Sequence, residues 1–280
     1  MKLNEIISND VKSAINEDQA FDDITTNLLK NSELTADASV ICNEDAILSG
    51  KDWFEEVFIQ VSGKYKNNNY SINWDKSDGD PIKRNSIICQ IRCPIKIILS
   101  AERIALNFIQ LMSGISTKVN NYCTLINGTN VKILDTRKTI PNLRHAQKYA
   151  VKSGGGFNHR FSLSDQILLK ENHLIASGES LDHFLAAHKN IMANISIEAE
   201  SLDQVDTIAK YSPKNILLDN FSVDDVRLAS KIINKSSTIE VSGGINRNNI
   251  LDYANSGIDY ISIGDLTKNI SAIDFSLRII

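Results

Sequence analysis

Long apolar runs are missing from this 280-residue chain. No segment reaches the roughly 18 apolar residues that a membrane-spanning helix requires. The N-terminal stretch MKLNEIISNDVKSAINEDQAFDD alternates apolar with charged residues and has no apolar core of signal-peptide length. A membrane partner is therefore not expected, and a cytoplasmic location is. Cysteine is scarce: Cys42, Cys89, Cys93 and Cys123 are the four. Cys89 and Cys93 have three residues between them, and no second pair or histidine pair completes a zinc pattern. They read as free, largely buried thiols. An excess of positive charge is also lacking. The formal net charge is -4, which gives no bulk attraction to nucleic acid, and no basic stripe carries interleaved aromatics. Any anionic ligand must be held by a local basic cluster. The chain has no exact repeat and no low-complexity segment.

What is present is ordinary globular material, 42% hydrophobic and 23% charged, long enough for one large domain or two modest ones. Its two halves read differently. Residues 1 to about 28 look helical, residues 36–49 carry β-type apolar clusters, and a helix is expected near 51–62. Asp78-Gly79-Asp80-Pro81 is a turn signal between strand-like runs. AERIALNFIQLM (101–112) has helical apolar spacing, and Ser113-Gly114 is expected to end that helix. This half reads as a small α+β domain with antiparallel strands. From about residue 130 the pattern becomes strand, loop, helix, repeated: VKILD (131–135), QILLK (166–170), ISIEAE (195–200), NILLD (215–219), TIEVS (238–242) and YISIG (260–264). Ser201 with Gln204 suggests a capping box, and Ser222 a helix cap. Short apolar strands alternating with helices indicate a parallel sheet with right-handed crossovers. Six strands are too few for an eight-stranded barrel, so an incomplete barrel or an open sheet is expected.

In such folds ligands bind where the strands end. There the chain places Asp135-Thr136-Arg137-Lys138-Thr139, the loop Gly154-Gly155-Gly156-Phe157-Asn158-His159-Arg160, Lys170-Glu171-Asn172-His173, Glu198, Asp219-Asn220, Ser242-Gly243-Gly244 and Gly264. Arg137, Lys138, His159, Arg160 and Lys170 form a basic set suited to carboxylates and phosphates. Glu198 and Asp219 form an acidic pair suited to Mg²⁺, to ribose hydroxyls, or to a developing cation. The glycines let backbone N–H groups approach a phosphate. Taken singly, each feature is commonplace; Glu200 reads as a solvent-facing charge, and His145, His183 and His188 as surface residues. Their coincidence at strand ends points to a polyanion, a phosphate, and a group that turns positive during reaction. A phosphorylated ribose losing pyrophosphate meets all three conditions.

At these residues the chain resembles the quinolinate phosphoribosyltransferases. DTRKTIPNLRHAQKYAVKSGGGFNHRFSLSDQILLKENH (135–173) is similar to the signature block of that family. AERIALNFIQLMSGIST (101–117), ILLDNFS (216–222), VSGGIN (241–246), GIDYISIGDLTKN (257–269) and DDITTNLL (22–29) extend the resemblance, which is weakest over 30–95. It implies an N-terminal α/β sandwich domain (1–112, joined by 267–280) and an incomplete, open parallel β/α barrel as catalytic domain (113–266). It implies phosphoribosyl transfer from phosphoribosyl pyrophosphate to quinolinate with decarboxylation, giving nicotinate mononucleotide, with Mg²⁺ as cofactor. By the same resemblance Arg137, His159, Arg160 and Lys170 bind the quinolinate carboxylates, and Arg103 reaches the site of a neighbouring subunit in a homodimer or a hexamer built from it. Lys138 and Lys170 contact phosphoribosyl pyrophosphate; Glu198 and Asp219 hold its ribose and the Mg²⁺, directly or through water; Ser242, Gly243, Gly244 and Gly264 cradle its 5′-phosphate. Lys138, Lys170, Glu198 and Asp219 are the expected catalytic residues. Three positions depart from the pattern: Asn142 for a glycine, Ser196 for an acid, and Asp265 for an alanine. Two rivals are a same-fold relative linked to molybdenum utilisation and a non-catalytic phospho-sugar sensor. The KENH and GGGFNHR stretches argue against the first, and retention of both acids and all the basic residues against the second.

Overall fold

The computed structural model describes residues 2–66 and 69–280. Its elements, in chain order, are α1 (Leu3–Asp18), β1 (Thr35–Cys42), β2 (Ala46–Ile47), α2 (Lys51–Lys64), β3 (Ser71–Trp74), β4 (Pro81–Ile82), β5 (Ser86–Pro94) and α3 (Ile95–Leu125). There follow β6 (Lys132–Leu134), α4 (Arg144–Ser153), β7 (Ile167–Leu169), α5 (Glu171–Ser177), α6 (Leu181–Ala187), β8 (Ile195–Ala199) and α7 (Leu202–Ala209). The chain ends with β9 (Asn215–Asp219), α8 (Val223–Ile233), β10 (Thr238–Ser242), α9 (Ile250–Ala254), β11 (Tyr260–Ser262), α10 (Asp265–Lys268) and β12 (Phe275–Ile279). Two compact units emerge, and no single cut in the chain separates them: residues up to Asn120, Thr139–Gly155 and Leu266–Ile280 form the first, and Asn121–Lys138 with Gly156–Asp265 the second. Residues 113–120 and 139–155, expected in the second domain, thus cluster with the first.

The first unit holds a four-stranded antiparallel sheet ordered β12-β1-β5-β3. The last strand pairs with the first, Ala38 opposite Ile279 and Cys42 opposite Phe275. Helix α2 buries Trp53, Phe54, Val57, Phe58 and Val61 along one side. Phe54 meets Trp74 of β3 edge to face at 5.1–5.3 Å spacing typical of this cluster, with centroids 5.2 Å apart. The Trp53 indole N–H donates to Asp10 of α1 at 2.9 Å. Asp78 caps α2 from outside its own turn, accepting from the backbone N–H groups of Gly50 and Lys51 at 3.1 and 3.3 Å and from the Tyr149 hydroxyl at 2.8 Å. That replaces local capping, since Gly50 carries no side chain to do it. All four cysteines are free; Cys42, Cys89 and Cys93 are buried, and burial pushes the Cys93 thiol up to about 12.

The expected helix end at Ser113-Gly114 does not occur: α3 runs on to Leu125. Both residues serve close packing instead. The Ser113 hydroxyl accepts from the Ser49 N–H at 3.0 Å. A Cβ on Gly114 would stand 2.2 Å from the Ser271 carbonyl oxygen, so the bare glycine admits the returning chain. Asn142 has φ +66°, in the left-handed region where glycine is unrestricted and asparagine is the tolerated substitute, which accounts for that departure from the pattern.

The second unit holds six parallel strands ordered β6-β11-β10-β9-β8-β7. Numbered by position in the sheet's own sequence this is a cyclic order cut once, between β6 and β7. The result is an open barrel, as the strand count anticipated. A lone bridge from Leu134 to Phe157 crosses towards the cut. Ser180, Ser201 and Ser222 cap α6, α7 and α8, each accepting from the backbone N–H three residues on. The Ser201 box is only half as expected: the Gln204 side chain accepts from the Glu200 N–H at 2.7 Å, one residue before the cap. Helix α5 lies on the Lys170-Glu171-Asn172-His173 stretch, where no helix was expected. Among the described residues no helix is long and apolar enough to cross a membrane.

Gly114→Ala should destabilise the protein despite alanine's better helix propensity, by about 1–3 kcal/mol from overpacking. Gly63 is also helical but faces open space, so Gly63→Ala should be neutral or stabilising. Thermal unfolding of both variants measures this. A midpoint for Gly114→Ala equal to or above that of Gly63→Ala would remove the close approach from the account.

Candidate active site

Period-two alternation along the parallel strands decides which side chains face the cavity. On β9 these are Leu217 and Asp219; on β10, Glu240 and Ser242; on β8, Glu198; on β7, Leu168, followed by Lys170; on β11, Ser262. The loop after β6 adds Thr136, Arg137 and Lys138, and the loop before β7 adds His159 and Arg160. Together they line a cavity of ≈ 380 Å³ in the second unit. Of the expected residues it therefore gathers Arg137, Lys138, His159, Arg160, Lys170, Glu198, Asp219 and Ser242. Gly243 and Gly244 follow β10 directly and Gly264 comes two residues after β11, but none of them lines the cavity itself. Arg103 lies exposed on α3 in the other unit.

The basic set is held by backbone and by buried acid. Asp135, fully buried, accepts from the His159 N–H at 2.8 Å and from the Asn158 amide at 2.6 Å, which fixes the loop before β7 beneath the end of β6. Arg160 donates through Nη1 to the Gln166 carbonyl at 2.9 Å. Burial, and then the neighbouring Arg137 guanidinium, pull the Arg160 pKa below its ordinary value. Two guanidiniums thus stand close together, and the Nε of Arg137 is buried with no hydrogen-bond partner. Such an arrangement favours an anion that engages both. His173, at the start of α5, accepts through Nδ1 from the Lys170 N–H at 3.0 Å, so its role is to shape the turn that presents Lys170.

The acidic set is larger than expected. Carboxylate oxygens of Glu198, Glu200 and Asp219 lie within 4.8 Å of one another. Glu200 is therefore not merely a solvent-facing charge. Its pKa is raised, through desolvation and then through Glu171, Glu198 and Asp219 nearby. Lys170 Nζ pairs with Glu198 at 2.5 Å and joins the two sets. Asn220 has φ +59° and donates its side-chain N–H to Asp219 at 2.9 Å while its backbone N–H donates to the Ser242 carbonyl at 2.9 Å. Gly243 makes room for it: with φ +88°, a Cβ there would lie 2.1 Å from the Asn220 Oδ1. Likewise the Lys138 stem crosses Gly264, where a Cβ would come within 2.7 Å. Asp265 opens α10 as its first residue and does not line the cavity. Ser196, buried, accepts from the Gln166 amide at 2.8 Å.

Glu240 and Ser262 were missed by the sequence reading. Counting back by two from Ser242 would have found Glu240, since it shares the cavity face while Ile239 and Val241 take the other. Asp135 and Asn220 were noted only as neighbours of the charged residues they hold in place.

An open β/α barrel with cations and carboxylates converging at its strand ends defines an enzyme acting on polyanionic, phosphorylated substrates. The family models for quinolinate phosphoribosyl transferase match this chain in both parts, the N-terminal domain over residues 23–113 and the C-terminal domain over 115–278. The nicotinate-nucleotide pyrophosphorylase (carboxylating) of Mycobacterium leprae is 34% identical, with 95% of each chain covered. A probable enzyme of the same name from Methanocaldococcus jannaschii is 34% identical over 96% of each. The structure of the nicotinate-nucleotide pyrophosphorylase from Francisella tularensis superposes with a TM-score of 0.92 at 39% identity, covering 100% of this chain and 98% of that one. The chain belongs to the quinolinate phosphoribosyltransferase family, and its activity is that of a phosphoribosyltransferase of NAD biosynthesis.

Gly243→Ala should lower kcat/KM by about tenfold or more, because the methyl group displaces Asn220 and the backbone is strained at positive φ. Gly244 also has positive φ, but nothing lies near its Cβ position, so Gly244→Ala should lose less. Steady-state kinetics on both variants, with circular dichroism as a fold control, decide it; equal losses would argue against Asn220 displacement as the cause.

Proposed function

We propose that the cavity in the second unit is where quinolinate and phosphoribosyl pyrophosphate meet, and that the charged sets divide the two substrates between them. The observation that carries this reading is the pair of adjacent guanidiniums, one with a buried Nε lacking any protein partner. Quinolinate carries two carboxylates on neighbouring ring carbons; Arg137, Arg160 and Lys170 supply donors for both, and His159 lines the same cavity beside them. Arg103, exposed on α3, adds its guanidinium to the site of a second copy in a homodimer or in a hexamer built from it. Lys138 and Lys170 face the phosphates of phosphoribosyl pyrophosphate, and Glu198 and Asp219 its ribose hydroxyls. Ser242, Gly243, Gly244 and Gly264 offer backbone N–H groups to the 5′-phosphate.

The three carboxylates within 4.8 Å are a hard-oxygen donor set that fits Mg²⁺. Glu198 and Asp219 would hold it, directly or through water, and it would supply charge neutralisation for pyrophosphate. The chain's own groups do the rest. The basic set orients quinolinate with its ring nitrogen towards the anomeric carbon. Lys138 stabilises the pyrophosphate that leaves with the electrons of the broken C–O bond. Glu198 and Asp219 stabilise the positive charge that develops on the ribose, and the nitrogen lone pair forms the new C–N bond. The ring nitrogen is then positive and draws electrons from the adjacent carbon–carboxylate bond. CO₂ leaves and the ring carbon takes up a proton. The four free thiols suit a reducing compartment, which supports a cytoplasmic location.

Purified protein incubated with quinolinate, phosphoribosyl pyrophosphate and Mg²⁺ should yield nicotinate mononucleotide and CO₂, and should yield no nucleotide from nicotinate. Lys138→Ala and Glu198→Ala should each lower kcat by about 10²–10³ while the fold is retained. Wild-type turnover in a folded variant would take that residue out of the mechanism. Equal use of nicotinate would take the second carboxylate out of recognition.

A further inference from the structure

Glu240 takes no part in the assignment above, yet it lies in the cavity wall with 2% of its surface exposed. Burying a carboxylate is strongly unfavourable unless it is paired or hydrogen-bonded. A negative group also repels a dianionic substrate, so Glu240 is no ligand for quinolinate. Its hydrogen bonds come from neutral donors. The Ser262 hydroxyl donates to Oε1, and the Asn215 amide donates to Oε2 at 2.9 Å. Asn215 is itself oriented, because its Oδ1 accepts from the Thr238 hydroxyl at 2.8 Å and its NH₂ is thereby turned to Glu240. A group that faces Glu240 and can carry positive charge is His159, whose Nε2 is 3.5 Å from Oε1.

The protonation pattern of His159 follows from its other contacts. Nδ1 accepts from the Arg160 N–H at 2.8 Å, so it bears no proton. In the neutral ring the proton is on Nε2, the nitrogen facing Glu240. The His159 N–H is tied to Asp135 at 2.8 Å. The residue is thus fixed at its backbone and at Nδ1, and a buried negative charge faces Nε2. We infer that Glu240 is a positioning residue for quinolinate binding, acting through His159 by fixing its Nε2–H tautomer and ring plane beside Arg160. This rests on the substrate assignment made above. A purely structural tie between β9, β10 and β11 is the competing explanation.

Nitrogen-15 NMR of the histidine rings in the wild-type protein, without substrate, reads the tautomer directly. Nδ1 unprotonated and Nε2 protonated at His159 is expected, and the opposite tautomer would overturn the inference. Because this measurement needs no variant, a substitution that fails to fold does not remove the test. In Glu240→Gln, which keeps the shape and loses the charge, KM for quinolinate should rise about tenfold while KM for phosphoribosyl pyrophosphate stays within about twofold. In a His159→Gln background the same substitution should add no further rise. Equal rises in both KM values, or additive losses in the double variant, would make Glu240 a structural residue only. A wild-type protein inactive on quinolinate would instead sink the substrate assignment, with the tautomer still deciding the Glu240–His159 link.

Discussion

Parallel strands send alternate side chains to the same face, and the six strands of the second unit end along one edge. Everything at the site depends on that constraint. On β10 the face carries Glu240 and Ser242, on β9 Leu217 and Asp219, and on β8 Glu198. Their neighbours Ile239, Val241, Ile216, Leu218 and Ile197 are buried on the other face and hold the strands in register. A slip of one residue in β8, β9 or β10 would exchange a carboxylate for an apolar side chain in the cavity. The hydrophobic half of each strand is therefore what fixes the position of its charged half.

Concentrating cations and carboxylates in one cavity creates opposing strains, and the structure balances them unevenly. Lys170 and Glu198 neutralise each other at 2.5 Å. Desolvation, and then the neighbouring carboxylates, raise the pKa of Glu200, and burial, and then the Arg137 guanidinium, lower that of Arg160. A crowded basic region and a crowded acidic one are left side by side in the cavity. A molecule with carboxylates or phosphates at one end and an electron-poor centre at the other relieves both at once. The buried acids Asp135 and Glu240 belong to a different layer, and they act on the loop carrying His159 and Arg160.

Close backbone approach is the second device shared by both units. Gly114, Gly243 and Gly264 each occupy a place where a Cβ would come within 2.2, 2.1 and 2.7 Å of a neighbouring atom. At Gly114 the neighbour is returning backbone, at Gly243 the side chain that steadies Asp219, and at Gly264 the stem of Lys138. The same residue type thus serves folding in one unit and site assembly in the other. Ser113-Gly114 read as a helix stop because local propensity favours that reading, and tertiary packing overrode it.

The sequence alone determined the strand and helix alternation, the open parallel sheet, the antiparallel first domain and nearly all the charged residues of the cavity. Those features depend on local periodicity and on motifs that are contiguous in the chain. It did not reveal that Glu200 joins Glu198 and Asp219, because their separation in space depends on how β8 and β9 end. Nor did it reveal Glu240, whose charge sits inside an otherwise apolar strand and reads as part of it. The continuation of α3 through Ser113-Gly114, and the inclusion of residues 139–155 in the first unit, were likewise tertiary decisions. Each rests on contacts between residues far apart in the chain, and a pattern of near neighbours carries no information about how closely such segments approach.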